Sequence, residues 1–501
     1  MKQPQPQAPL TLQTPLTRRA ALALLFGGIS AASSLGAAPA ESLLVINPDA
    51  DYGTWQGWGC SLAWWAGVFG SRDDIADLLF TTKSTLLNGE TLPGLGLTVA
   101  RYNAGGCSAN AVDGSLMQAS PRIPAFKQMQ GFWRHLRPSG PSSSSDLASV
   151  GWDWSMDESQ RLMLQKARDR GAAHFELFSN SPLWWQCRNH NPSGADNGAE
   201  DNLQPSSRRR HAVYLAAIAK HAADHWGIRF DSVEAFNEPS ADWWNKNGTQ
   251  EGCHFDAETQ AAVIAALREE LDRRGLTQIK VAASDENTYD AALRTWNSFR
   301  PATKALVGRV NVHGYQYGGG RRDLLFRAVT PTNLWNSEYG EDDASGMRLA
   351  ANLALDFRYL HPTAWCYWQP LDGNGWGLIQ SDLTRKQIGP VNPKYFVLAH
   401  YSRHIRPGMT LLDSSDDRTV AAYDRAAQKL VLVTTSHATG QWITYDLSRF
   451  GAVSGPITRW TTDTRSGGEK YAVHRDTHLA GSQFRVWLGP NSIQTFEIAS
   501  A

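Results

Sequence analysis

The chain has 501 residues, too many for one ordinary core and enough for a large barrel plus a second unit. Its hydrophobic share of 42% is that of a globular protein, and its 48 basic residues balance 48 acidic ones. That neutrality excludes the electrostatic footprint of a nucleic-acid or acidic-membrane binder and points to a neutral partner.

Residues 1–40 read as an export signal. Thr17-Arg18-Arg19 precedes an apolar run from Ala20 to Ile29, and Ala38-Pro39-Ala40 supplies a small-x-small cleavage site. The run is too short to span a bilayer as a mature helix. The paired arginines suggest the twin-arginine route, so a secreted or periplasmic protein is expected. No other stretch could cross a membrane.

Residues 41–56 carry a strand-like segment, SLLVINPDADYGTWQ, that is expected to join a β unit further along the chain. From residue 57 to 400 the pattern alternates. Residues 158–170 space apolar positions helically, stop at Gly171 and lead into HFELFS. Residues 208–226 stop at Gly227 before FDSVEAF, and 258–274 stop at Gly275 before IKVAAS. Glycine just past a helix is the expected terminator. Strands are predicted near 57–62, 96–102, 174–179, 231–236, 279–284, 308–313, 332–337 and 363–368. Eight short strands between helices predict a (β/α)₈ barrel. A doubly wound open sheet competes, but its GxGxxG phosphate loop is absent. The stretch PSGPSSSS at 138–145 reads as a flexible loop inside the barrel. Residues 401–501 change character: TVAAYD, KLVLVTTS, QWITYDL, ITRWTT, FRVWLG and IQTFEI predict a β-sandwich-like unit.

Five cysteines, Cys60, Cys107, Cys187, Cys253 and Cys366, lack the spacing of a zinc or redox motif. Buried thiols are the expectation for most. Cys187 and Cys253 sit in polar segments after predicted strands three and four, and are expected within disulfide range of each other.

The C-terminal ends of barrel strands form the active face. Glu238 ends the fourth predicted strand in SVEAFNEPSADWW, and Glu338 ends the seventh in NLWNSEYG. Barrel closure would bring both to one mouth. Two facing carboxylates are what glycosidic cleavage needs, one to protonate the leaving oxygen and one to attack the anomeric carbon or activate water. Two solvated glutamates are the bland alternative, and their matching Asn-Glu contexts on the right strands favour catalysis. The 20 tryptophans fit this chemistry, because an indole offers a flat apolar partner to the C–H face of a sugar. In each adjacent pair after strands one, three and four (Trp64-Trp65, Trp184-Trp185, Trp243-Trp244), one indole is expected to face the groove and the other to pack beneath the loop.

GWGCSLAWWAG (57–67), ARYNAGG (100–106), SNSPLWW (179–185), EAFNEPSADWW (234–244), VHGY (312–315) and WNSEYG (335–340) together resemble glycoside hydrolase family 30, in clan A of the retaining enzymes. SLAWWA and NSPLWW are similar to its endo-β-1,6-galactanase branch. The resemblance implies Glu238 as acid/base, Glu338 as nucleophile and Asn237 as the residue holding the sugar 2-hydroxyl. It implies that Arg101 steadies the Glu338 carboxylate, and that the negative charge so kept raises the pKa of Glu238. His313 and Tyr315 would bond Glu338 or a hydroxyl, and Trp368 would floor the cleavage subsite, with Trp64, Trp184 and Trp185 beyond it. Ser179 stands where many relatives carry tryptophan, which fits a different sugar specificity.

The expected activity is cleavage of internal β-1,6-galactosyl links, as in arabinogalactan side chains, by a monomer that needs no cofactor and no metal. A β-1,6-glucanase or an exo-acting β-galactosidase would share the catalytic pair and differ in loops. A non-catalytic carbohydrate-binding barrel would keep the tryptophans without needing both acids. A metal-dependent hydrolase needs clustered strand-end ligands, and HxH is absent.

Overall fold

The computed structural model describes residues 41–134, 151–451 and 453–499. Residues 1–40, read above as an export signal, and the serine-rich stretch at 138–145 lie outside the described residues.

Eight parallel strands close into a barrel: β1 (Gly57–Ser61), β2 (Val99–Asn103), β3 (His174–Phe178), β4 (Ser232–Glu234), β5 (Lys280–Glu286), β6 (Val307–His313), β7 (Asn333–Tyr339) and β8 (Ala364–Tyr367). Each pairs with its sequence neighbours, and β8 pairs with β1 to close the ring. The expected (β/α)₈ architecture is therefore present. Helices α1 (Asp73–Phe80), α2 (Glu158–Asp169), α3 (Arg208–His221), α4 (Ala257–Arg273), α5 (Tyr289–Ser298), α6 (Arg322–Val329), α7 (Met347–Leu355) and α8 (Pro393–Ser402) follow the strands in order. Gly275 ends the turn after α4 at φ 73°, a left-handed conformation that costs glycine little.

The strands are buried on both faces, as helix-covered parallel sheets require. The interior, however, is not a stack of aliphatic layers. Arg101, Glu176, Ser232, Glu234, Arg309 and Asn311 are all buried on barrel strands. Arg309 bonds Ser232 Oγ at 2.6 Å, lies 3.4 Å from Glu176 and caps the Trp335 ring at 3.4 Å. Among the described residues no helix is long and apolar enough to cross a membrane.

Both ends of the described chain build the second unit. Strand Glu41–Val45 lies parallel to Gln441–Asp446, which pairs antiparallel with Gln483–Leu488. Strand Asp51–Thr54 edges a seven-stranded sheet that runs through 410–412, 419–424, 429–436, 492–499, 457–463 and 472–474. The two sheets enclose Leu44, Leu432, Ile443, Tyr445, Phe484 and Phe496. Helix α8 docks this unit onto the barrel, with His400 held between Thr495 Oγ1 (2.7 Å) and Thr462 Oγ1 (2.9 Å).

All five cysteines are buried free thiols, so Cys187 and Cys253, expected within disulfide range, are not bridged in this structure. Cys187 Sγ contacts its local carbonyls at Leu183 (3.7 Å) and Pro182 (3.9 Å), and Cys253 Sγ points to His254 O at 3.3 Å. The Cys253 thiol also lies close enough to Cys187 to feel its charge and receives the backbone N–H groups of Asn202 and Leu203, from the loop that carries Cys187.

Phe496 packs against Tyr445 and Phe484 at ring distances of 5.4 and 5.3 Å. Phe496→Ala is expected to cost about 3–5 kcal/mol in urea denaturation. The per-molecule activity of the folded fraction should be unchanged, because no barrel-mouth residue touches this cluster.

Candidate active site

The mouth is built on the buried guanidinium of Arg101, at the C-terminal half of β2. Its Nε donates to Glu176 on β3 at 2.8 Å, its Nη2 pairs with Asp285 on β5, and its Nη1 lies 3.4 Å from Glu338 Oε2 on β7. These acids hold the guanidinium well above its ordinary pKa despite burial.

His313, at the end of β6, is completely buried and sits among three carboxylates. Its Nδ1 lies 3.1 Å from Glu238 Oε1 and 3.5 Å from Glu338 Oε1, and its Nε2 is 3.4 Å from Asp285 Oδ1. Burial opposes its charge, but Glu338 and Asp285 outweigh it and push its pKa up to about 10. The ring is therefore an imidazolium at neutral pH.

Glu238 follows β4 by four residues, in a left-handed backbone at φ 48°. A non-glycine residue holds that conformation only when its surroundings enforce it. Its N–H donates to Asp285 O at 2.8 Å, its carbonyl accepts from Trp244 Nε1 at 3.0 Å, and Pro239 cannot extend the strand. Its Oε1 accepts from Asn287 Nδ2 at 2.6 Å as well as facing His313. Neighbouring Asn237 is buried, with its Oδ1 left without a partner.

Glu338 Oε1 accepts from Tyr315 at 2.8 Å. A carboxyl oxygen of Glu238, one of Glu338 and a ring nitrogen of His313 all lie within 4.8 Å of one another. The expectation of a low-lying Glu338 is not met: burial pushes its carboxyl up to about 7, against the pull of His313 and Arg101 and helped by the charges of Glu238 and Asp285.

The family match accords with this geometry. The chain matches O-Glycosyl hydrolase family 30 over residues 41–302. It is 52% identical over 467 residues to an endo-beta-1,6-galactanase of Hypocrea rufa, covering 92% of this chain and 95% of that protein. The chain belongs to glycoside hydrolase family 30. Two solved structures share the fold: a conserved exported protein from Bacteroides fragilis (TM-score 0.73, 17% identity, 91% of this chain and 100% of that one) and the catalytic domain of xylanase C from Talaromyces cellulolyticus (TM-score 0.68, 19% identity, 91% and 100%).

In this family 30 chain the tryptophans divide differently from the expectation. Trp184 and Trp185 are both buried, the first bonding Ser108 Oγ at 2.7 Å and the second bonding Trp133 O at 3.2 Å. Trp64 and Trp65 are buried too, because Lys127 covers the Trp64 ring at 3.8 Å and Trp65 Nε1 is tied to Ser61 O. Only the third pair splits, with Trp243 42% exposed over a buried Trp244. Trp368 follows β8 directly and meets Trp64 edge to face at 5.0 Å.

Several site residues were missed in the sequence. Asp285 and Asn287 lie in SDENTYD, where the strand predicted near 279–284 ends. Trp376 packs over Gly340, where an added Cβ would lie 3.0 Å from the ring. Glu251 ties two loops together by accepting from Gly106 N at 2.8 Å, and burial pushes its carboxyl up to about 8.

A raised histidine pKa has a definite sign in stability. The folded protein binds the His313 proton more tightly than the unfolded chain, so this contribution is complete below about pH 6.5 and is lost as pH rises toward about 10. The stability gap between wild type and His313→Gln should therefore shrink from pH 6 to pH 10 in chemical denaturation.

Proposed function

We propose that the protein is an endo-β-1,6-galactanase that hydrolyses β-1,6-galactosyl links with retention of configuration. The observation that carries the substrate is the 52% identity to the Hypocrea rufa galactanase, sustained over nearly the full length of both chains. What supports retention is the carboxyl oxygens of Glu238 and Glu338 within 4.8 Å of each other. A retaining pair stands roughly 5–5.5 Å apart, whereas an inverting pair needs about 6.5–9.5 Å to admit a water.

In this reading Glu338 attacks the anomeric carbon while Glu238 protonates the departing O6 of the next galactosyl unit. Tyr315 and Arg101 orient the attacking carboxylate. Asn287 and His313 both converge on Oε1 of Glu238, which leaves Oε2 to carry the transferable proton. The Asn237 amide, with its buried unpartnered Oδ1, takes the sugar 2-hydroxyl. Water then enters on the face vacated by the leaving group, Glu238 removes its proton, and the glycosyl ester at Glu338 is hydrolysed. Trp368 floors the site. We also propose that the chain works after export; Arg18-Arg19 before the apolar run support that placement.

The test is digestion of β-1,6-galactan, β-1,6-glucan and xylan side by side with product sizing. Short galacto-oligosaccharides from the first substrate alone are expected, and faster release from either of the others overturns the specificity. Glu338→Gln should abolish turnover while the protein still binds galactan. Glu238→Ala should lose about 10²–10⁴ in kcat on galactan and far less on substrates with good leaving groups. Azide should accelerate that variant and give a β-galactosyl azide. An α-configured azide would overturn retention.

A further inference from the structure

We propose that Lys127 and Asp372 form a hydroxyl-binding subsite that reads the galactosyl unit next to the one being cleaved, on the side away from the leaving group. The inference rests on the galactanase reading and adds the residues that set its chain recognition.

The position comes from the order of the mouth. Glu238 stands after β4 and addresses the leaving group. Glu338 is on β7, Trp368 follows the adjoining β8, and Trp64 follows β1, which adjoins β8 in turn. Trp64 meets Trp368 edge to face at 5.0 Å. Lys127, in the short turn Ala125–Lys127 after β2, sets its ammonium 3.8 Å from the centre of the Trp64 ring. Asp372 lies in the strand Leu371–Asp372 beyond β8 and is the acidic group that acts on that ammonium. This wall continues the groove from the nucleophile's side, away from β4.

The chemistry comes from what these groups lack. Among the described residues the Lys127 ammonium makes no hydrogen bond to protein and no salt bridge. Among those residues the Asp372 carboxylate accepts only from Gly373 N, its own next residue, at 2.7 Å. Burial lowers the lysine pKa to about 8 and raises that of the aspartate, so each is desolvated and neither is fully compensated by the other. Two more groups beside them are buried without partners, Trp64 Nε1 and Gln369 Oε1, although Gln369 Nε2 is anchored to Ala63 O at 2.9 Å. Buried polar groups are almost always satisfied, so such a cluster at a mouth calls for a partner. Sugar hydroxyls fit, because each can accept from the ammonium or indole and donate to the carboxylate or amide oxygen at once. The covering of Trp64 by Lys127 also explains why this indole is not a stacking platform: it is the seat of the cation.

The test uses the full enzyme with an aryl β-1,6-galactobioside, and free galactose as a competitive inhibitor. Lys127→Met keeps the stem and removes charge and donors. It should raise KM about 10- to 100-fold, with kcat within about twofold. The inhibition constant for galactose, which fills the cleavage subsite, should stay put. Asp372→Asn should act in the same direction, and Lys127→Arg should recover part of the loss. Thermal melts identify a variant that has lost its fold, in which case Asp372→Asn carries the test. Unchanged KM, or a loss confined to kcat, in folded variants overturns the subsite; the latter marks Lys127 as a mere support for Trp64 and Trp368. A wild type that cleaves no β-1,6-galactoside overturns the galactanase reading and the subsite with it, while active wild type with indifferent variants removes the subsite alone.

Discussion

Arg101 is the charge around which the barrel is assembled. A guanidinium with no exposed surface is costly to bury, and only acids in good geometry offset that cost. Here they arrive from β3, β5 and β7 as Glu176, Asp285 and Glu338. Below it Arg309 on β6 joins Ser232 on β4 to the same Glu176. One ionic network thus crosslinks six of the eight strands through the middle of the barrel, where aliphatic layers would otherwise sit. Removing any one partner leaves an uncompensated charge, so the position of Glu338 at the mouth is tied to the integrity of the core.

Asp285 carries the network from core to chemistry. Its carboxylate is shared by Arg101, His313 and Ser337, and its backbone carbonyl takes the N–H of Glu238. Glu338 and Glu238, the proposed attacking and protonating residues, are therefore both referenced to a single residue on β5. That arrangement also accounts for the left-handed backbone of Glu238. The N–H to Asp285, the Trp244 indole on its carbonyl and the following proline hold it there, and the result is a carboxyl turned into the mouth beside His313.

The barrel was legible because its signals are local. Helical spacing, glycine stops such as Gly171 and Gly275, and short apolar runs mark the elements without knowledge of their partners. That Glu238 and Glu338 meet at one mouth was legible because each follows an apolar run and an asparagine, directly at Glu238 and one residue on at Glu338. Asp285 and Asn287 were not, since their roles exist only after β5 is placed between β4 and β6. The indoles were misjudged for a related reason. Which member of an adjacent pair faces the groove depends on loop backbone, as with Trp64 at φ 66°, and on what comes to cover it, here Lys127 from a loop more than sixty residues later.

The charges around the mouth also bear on the Glu338 carboxyl. Arg101, Arg309 and the His313 imidazolium supply three positive charges in the enclosed space. Glu234, fully buried with one carboxyl oxygen unpartnered, is pushed far up by burial and by Asp285 and Glu176, so it remains neutral. Asp285 is held low by Arg101 and His313 despite its burial. Burial, helped by the charges of Glu238 and Asp285, pushes the Glu338 carboxyl up to about 7 against the pull of His313 and Arg101. The proposed retaining cycle needs one carboxyl protonated to donate and the other ionised to attack. The donors are already divided between the two carboxyls: Asn287 and His313 face Oε1 of Glu238, and the Tyr315 hydroxyl donates to Oε1 of Glu338, so in the proposed cycle Oε2 of Glu238 is the oxygen turned to the leaving group.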